Sequence, residues 1–335
     1  MMHTEKEGWQ HLETVLRADA GTASAGGLRF VGQGLQRPEC VLTHRSGTLY
    51  VSDRRGGILC LRADGRQQLI GKSPLLPNGI TLEKDGSFLV ANLGADGGVW
   101  RVDPAGQATP WLMEIDGKSI GRVNFVARDH ADRLWACISA TDGGDRYPLD
   151  DATGYIVLCD AQGARVVMDG LHYTNECRVG ADGAHLYVNE TFGRRLTRFR
   201  IGPQGRLGGR EVVSGFEAGD FPDGLTLDAE GGAWVVCVGS NRLYRVGADG
   251  TRRLVIDDAD DATVQRLEAA FIARTLDRPT LSSARGRRLQ NITSLAFGGP
   301  DLRTAYMGCL AGDALAVFDS PVAGLRPAHW DWGRT

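Results

Sequence analysis

Six times in this chain a short β-branched or aromatic run is flanked by the same two kinds of turn. The runs are "TLYVSD" at 48, "SFLVANL" at 87, "RLWACIS" at 133, "HLYVNET" at 185, "GAWVVCV" at 232 and "TAYMGCL" at 304. Each follows a turn such as "HRSG", "EKDG" or "GADG", and most lead into a further strand and turn, as in "GGILCLRADGR" and "GGVWRVDPAGQ". Period-two apolar patterning bounded by Asp-Gly and Ala-Gly signals means antiparallel strands joined by tight turns. The copies begin roughly 40 to 70 residues apart, the length of a four-stranded propeller blade. A β-sandwich could use such strands but would not repeat them six times in phase. The 46 glycines, nearly twice the usual roughly 7% share, fall at these turns.

The reading is therefore an all-β, six-bladed propeller forming a single domain over 1–335. Its blades fall at about 37–70, 76–112, 121–168, 172–215, 221–256 and 289–335. Residues 1–30 are expected to supply an edge strand that closes the ring, since closure removes exposed edges. Two insertions interrupt the pattern, at 140–154 within blade three and at about 257–287 between blades five and six. The second predicts a helix over about 261–275 with Val264, Leu267 and Phe271 on one face. Both connections emerge at the face where the blades begin.

The remaining composition narrows the partners. A net charge of -3, from 38 basic and 41 acidic residues without a dense basic cluster, argues against nucleic acid and anionic membrane. The N-terminal residues lack the apolar core of a secretory signal, and no apolar run approaches the ~18 residues of a membrane span. Seven cysteines without a C-x-x-C read as reduced core residues of a cytoplasmic protein. Oligomeric state leaves no mark in the sequence.

Aligning the blade entries places Glu39, Asn78, Asn124, Asn175 and Asp223 at one equivalent position, with Thr293 in the sixth copy and Asn291 two residues before it. The first strand of each propeller blade lines the central channel, so residues that open these strands converge at one mouth. Five oxygen-bearing side chains around an axis suit a hard divalent cation, Ca2+ foremost, with Mg2+, Mn2+ or Zn2+ as alternatives. Two carboxylates balance its charge. The competing view treats Asn and Asp beside Gly as turn formers. In "FPDGLTLDAEGGAWVV", Asp228 and Glu230 read as solvated turn residues, whereas Asp223 opens a buried strand. No G-x-S-x-G, H-E-x-x-H, Walker or dinucleotide motif competes with this site. His172 and Glu176, close to the Asn175 entry, are further candidates for the pocket, together with Asn78.

Over about residues 35–320 the chain resembles the senescence marker protein/gluconolactonase family, six-bladed propellers that include regucalcin and bacterial sugar lactonases. The resemblance is carried by "FPDGLTLDAEGGAWVV", by the Asn175 segment ahead of "HLYVNET", and by "LAFGGPDLRTAYMGCL". It implies one divalent metal held by Glu39, Asn175 and Asp223, and substrate contacts from Arg122 and Asn124. The chain departs from the family pattern at Asn124-Phe125-Val126 and at Glu176, where a glycine is usual. The implied activity is metal-dependent hydrolysis of a small ester, foremost a lactone, with Asp223 activating water as the catalytic base. A non-catalytic calcium-binding propeller that binds a ligand or protein is the alternative. Isomerase or lyase chemistry on the same site, to which the extra acid Glu176 points, is another.

Overall fold

The computed structural model describes residues 27–139, 146–147 and 150–333. Its strands form six four-stranded antiparallel sheets, plus a small hairpin of Glu114–Ile115 with Lys118–Ser119. Blade one, for example, runs Val41–Thr43, Leu49–Asp53, Gly57–Leu61 and Gln67–Ile70, and blade five runs Phe221–Leu227, Ala233–Val238, Arg242–Val246 and Arg252–Asp257. The inner strand of each blade touches the inner strands of the blades before and after it, and the first touches the last. The ring is closed.

Burial grades outward along each blade. Inner and second strands such as Pro77–Leu82 and Ala233–Val238 are buried throughout, whereas the outer strands Ala108–Leu112 and Leu207–Gly215 are largely exposed. Neighbouring blades press both faces of their inner strands together. Leu89, Ala91 and Val99 of blade two, for instance, pack on Val126, Leu134 and Ala136 of blade three. Apolar side chains therefore occupy both faces of these strands, which read as nearly continuous apolar runs for that reason.

Blade six takes its outer strand from the other end of the chain. Arg29–Val31 pairs antiparallel with Leu315–Asp319, Phe30 facing Ala316, and Arg29 donates two hydrogen bonds to Asp319. The residues after Asp319 cross to the far end of the channel. There Leu325 N donates to Leu227 O, Ala229 N to Ala323 O and Arg45 N to Trp330 O.

One turn residue differs from its expected role. Asp228 is buried and ties the turn internally, accepting from Gly232 N at 2.7 Å, Trp234 Nε1 at 2.8 Å and Arg245 Nε at 2.7 Å. Asp129 does the same in blade three with Arg133 and Trp135. A short carboxylate accepts the turn's own N–H groups, and the next strand's tryptophan and a basic side chain then cover it. All seven cysteines are buried and free. Among the described residues no helix is long and apolar enough to cross a membrane.

Candidate metal centre and active site

Three of the entry residues sit where their inner strand slips register against the second strand. The shifts fall between Pro77 and Ile80, Thr174 and Cys177, and Pro222 and Leu225, and they bracket Asn78, Asn175 and Asp223. A β-bulge adds a residue to one strand and re-aims its side chain. The following glycines permit the blades to meet there. A Cβ on Gly224 would stand 2.2 Å from Thr293 O, and one on Gly79 would stand 2.7 Å from Phe125 Cα. In blade four that position is Glu176, whose carboxylate accepts from Leu225 N of the next blade at 3.1 Å. The departure from glycine thus replaces a backbone approach with a side-chain bridge.

Glu39, Asn78, Asn124, Asn175 and Asp223 all line one cavity of about 50 Å³ at the mouth where the inner strands begin. A second cavity, about 110 Å³, lies at the opposite mouth among apolar side chains and the Leu325 to His329 segment, and none of the five lines it. Thr293 contributes no side chain to the ring; its hydroxyl donates to Glu39 O at 2.9 Å. Asn291 accepts from Gly239 N and donates to Leu281 O, fastening the second insertion.

Hydrogen bonding divides the five into two groups. Asn78 accepts from Arg37 Nη2 at 2.7 Å and donates to Asn124 Oδ1 at 3.0 Å, so both amide oxygens are already engaged. Asn175 donates its Nδ2 to Thr191 Oγ1 at 3.0 Å, and Thr191 in turn donates to Pro222 O at 2.8 Å. This chain turns the Asn175 oxygen away from Thr191. Asn175 Oδ1 and Glu39 Oε2 are buried and have no hydrogen-bond partner. Asn189 fixes the third member by donating to Asp223 O and Gly224 O, each at 3.0 Å.

Leaving a buried polar oxygen unanswered costs about 1–3 kcal/mol, and more if it is charged. Burial pushes Glu39 up to about 8 against the pull of the Arg37 guanidinium, with Glu176 adding to the rise. Burial, Glu39 and Glu176 together hold Asp223 well above the usual carboxylate range. Two carboxylates converging in a buried cavity call for protons or a cation. The donor set is all oxygen, carrying two negative charges and one amide, and it fits a hard divalent ion. Among the described residues no cluster of three or more His, Cys, Asp or Glu could hold a metal. Here the Asn175 amide would have to supply the third position.

Other expected site residues lie elsewhere. His172 does not line the cavity: its N donates to Glu190 Oε2 and its Nδ1 meets Arg195 Nη2 at 3.1 Å, so it serves the buried Glu190 cluster. Arg122 is half-buried and is not among the lining residues. Glu176 is not among them either. It pairs with Arg178 at 2.9 Å, and burial raises it to about 7. Residues that the motifs did not reveal add to the lining, among them Arg37, Thr191, Tyr147, Tyr173, Phe192 and Arg278.

The second insertion covers this mouth. It forms helix α1, Asp261–Ile272, capped by Asp260 on Thr263 N, and helix α2, Arg278–Ser282, capped by Asp277 on Thr280 N. Thr263, Leu267 and Phe271 are the buried residues of α1, with Val264 half-buried. Phe271 packs on Phe221 and Phe192 with ring centroids 5.2 and 5.5 Å away, and Phe192 stacks on Tyr147 at 4.6 Å. Tyr147 belongs to the first insertion, most of which lies outside the described residues, and its N donates to Leu276 O. The two insertions therefore meet above the ring.

Residues 37–263 match the family model described as the SMP-30/Gluconolactonase/LRE-like region. The chain belongs to this family. Within it, the chain is 27% identical over 239 residues to pentonolactonase XacC of Haloferax volcanii, covering 70% of this chain and 67% of the relative. It is also 27% identical over 230 residues to 6-deoxy-6-sulfogluconolactonase of Pseudomonas putida, covering 68% and 66%. The calcium-binding protein regucalcin of Agrobacterium tumefaciens shares the fold at a TM-score of 0.66 and 18% identity, over 91% of this chain and 98% of that one.

Proposed function

We propose that this family member is a lactonase that works with a divalent cation. The observation that carries the reading is the pair of partnerless buried oxygens, Glu39 Oε2 and Asn175 Oδ1, in the cavity that Asp223 also lines. The names of its pentonolactonase and sulfogluconolactonase relatives support a lactone substrate. That of the calcium-binding relative supports Ca2+, as does an oxygen-only donor set; Zn2+ favours nitrogen and sulfur. Glu39, Asn175 and Asp223 would hold the ion, which when bound supplies a Lewis acid for the ester carbonyl.

The remaining work falls to the chain. Asp223 takes a proton from water as the water oxygen bonds to the lactone carbonyl carbon. The ring C–O bond then breaks, the proton passes from Asp223 to the departing oxygen, and an open-chain hydroxy acid results. A carboxylate beside the reacting atoms can take that proton and return it to the departing oxygen. Asn78 and Asn124, locked to each other and to Arg37, present fixed amides toward the substrate's hydroxyl groups. The aromatic roof of Tyr147, Phe192 and Phe271 keeps bulk water out.

A pH-indicator screen of sugar lactones and aryl esters, run with each divalent metal and with chelator, tests the reading. Metal-dependent lactone opening is expected. Tight metal binding without turnover across the whole panel would instead leave a binding module.

A further inference from the structure

The channel mouth opposite the candidate metal centre holds a cavity that lactone hydrolysis would not use. Ile80, Phe125, Leu227, Leu295, Phe297 and Leu325 supply apolar wall there. Leu325 belongs to the segment after blade six, which Leu325 N to Leu227 O and Arg45 N to Trp330 O fasten over this mouth. His329 stands on the same segment and lines the same cavity.

His329 is only 8% exposed. One ring nitrogen bonds the Thr43 backbone, and the other, Nε2, is buried and has no hydrogen-bond partner. Burial, then the positive charge of Arg178 and the neighbouring His44 and His130, push His329 down to about 4, so its ring is neutral at pH 7. A neutral imidazole that donates through one nitrogen offers a lone pair at the other. Buried acceptors in folded proteins nearly always meet a donor, and one left without is destabilising. Whatever fills this cavity should bring that donor.

The charged groups of the lining are already answered within the chain. Arg178 pairs with Glu176 at 2.9 Å and lies 4.5 Å over the Phe125 ring. Arg128 pairs with Glu83 at 2.6 Å, Asp129 with Arg133 at 2.7 Å, and Arg326 with Asp331. An ionic ligand would find its counter-charge already engaged. The volume, about 110 Å³, limits size as well. An apolar cavity of about 150 Å³ takes benzene, so this one has room for a single small ring. Apolar walls with one placed polar group are the usual make-up of a small-molecule pocket.

We propose that this far cavity binds an uncharged apolar molecule, about the size of one aromatic ring, whose hydroxyl donates to His329 Nε2. Its ring packs between Phe125, Leu295 and Leu325. The site does not rest on the lactonase reading, and the two cavities share no lining residue.

Phenol and toluene test it, because they match in shape and exchange a hydroxyl for a methyl. In calorimetric titration at pH 7 a purely apolar cavity would favour toluene. The His329 acceptor should reverse the order, with phenol binding at least about tenfold more tightly. His329→Phe keeps a ring and removes both nitrogens, and in it the order should invert. Methyl NMR of the wild type needs no variant and decides alone if His329→Phe folds poorly. Phenol should shift the methyl signals of Ile80, Leu227, Leu295 and Leu325, leaving Leu93, Leu281 and Leu310 beside the metal centre unmoved. No saturable binding at millimolar phenol would leave the cavity to water and overturn the proposal. So would a wild type that prefers toluene, a phenol preference that survives His329→Phe, or shifts confined to the metal mouth.

Discussion

The Thr191 hydroxyl accepts the Asn175 amide at 3.0 Å and donates to Pro222 O at 2.8 Å, so a residue of blade four joins its own entry strand to that of blade five. Because the hydroxyl's one proton is committed to Pro222, only the amide nitrogen of Asn175 can face it. The oxygen is left for the cavity.

Thr191→Val keeps the volume and removes both bonds. The Asn175 side chain then loses the contact that fixes which end faces the cavity. Calcium affinity, measured calorimetrically, should fall about 10- to 100-fold, the usual effect of losing a group that orients a ligand. Near-ultraviolet circular dichroism should be unchanged. Wild-type affinity in this variant would mean that Asn175 needs no help to orient.

Asp223→Asn separates holding the ion from accepting a proton. The variant should still bind metal, though less tightly, because one oxygen remains. At metal saturation its kcat should fall at least about a hundredfold, the lower end of a general base's contribution. Near wild-type turnover at saturation would remove Asp223 from the chemistry.

Chelation should lower the melting temperature, and added calcium should restore it. Binding to the folded state alone contributes about 2.7 kcal/mol at a hundredfold excess over Kd. Differential scanning calorimetry of wild type and Glu39→Gln checks this. The substitution replaces an unanswered carboxylate oxygen with a neutral amide, so the metal-free variant should melt above the metal-free wild type and gain little from calcium.

Acid stability tests a different cluster. Glu190 is buried, which raises its proton affinity, yet Arg195, His172 N and Thr197 hold it down to about 2. Its folded value lies below its unfolded one, so the stabilisation is fully present above about 4.5 and is lost as pH falls toward 2. Glu190→Gln should be less stable than wild type at neutral pH, and the gap should close on acidification. A gap that stays constant in urea titrations between pH 7 and pH 3 would assign the effect to packing instead of charge.

Strand phase and the five converging entry residues were legible because both follow from local alternation and turn chemistry. What each entry residue does was less so. Asn78 and Asn175 look alike in the sequence, yet one oxygen is engaged by Arg37 and the other is left open through Thr191. Those partners come from segments outside the entry strands, Arg37 ahead of blade one and Thr191 just past the second strand of blade four. Arg37 and Arg122 each stand two residues before a ring member, but Arg37 alone of the two lines the cavity, from a left-handed backbone conformation that the pattern does not reveal. Asp228 read as solvated because its cover, Trp234 and Arg245, arrives from the two strands that follow. The helical insertion was visible from its apolar spacing, whereas Val264 yields the buried position to Thr263.

The seam at Arg29–Val31 and Leu315–Asp319 sets the order of assembly. During synthesis the N-terminal strand emerges early and must wait for nearly all of the remaining chain before its partner exists. Until then blade one has no neighbour on its open flank, and blade six lacks its outermost strand. The outer pairing of the ring cannot form until Leu315–Asp319 has been made. Blades one and six are also joined at their inner strands, where Thr43 Oγ1 donates to Phe297 O, Thr293 Oγ1 to Glu39 O and Cys309 N to Pro38 O, so the outer pairing and the Arg29–Asp319 clasp add to a seam that runs the full depth of the ring.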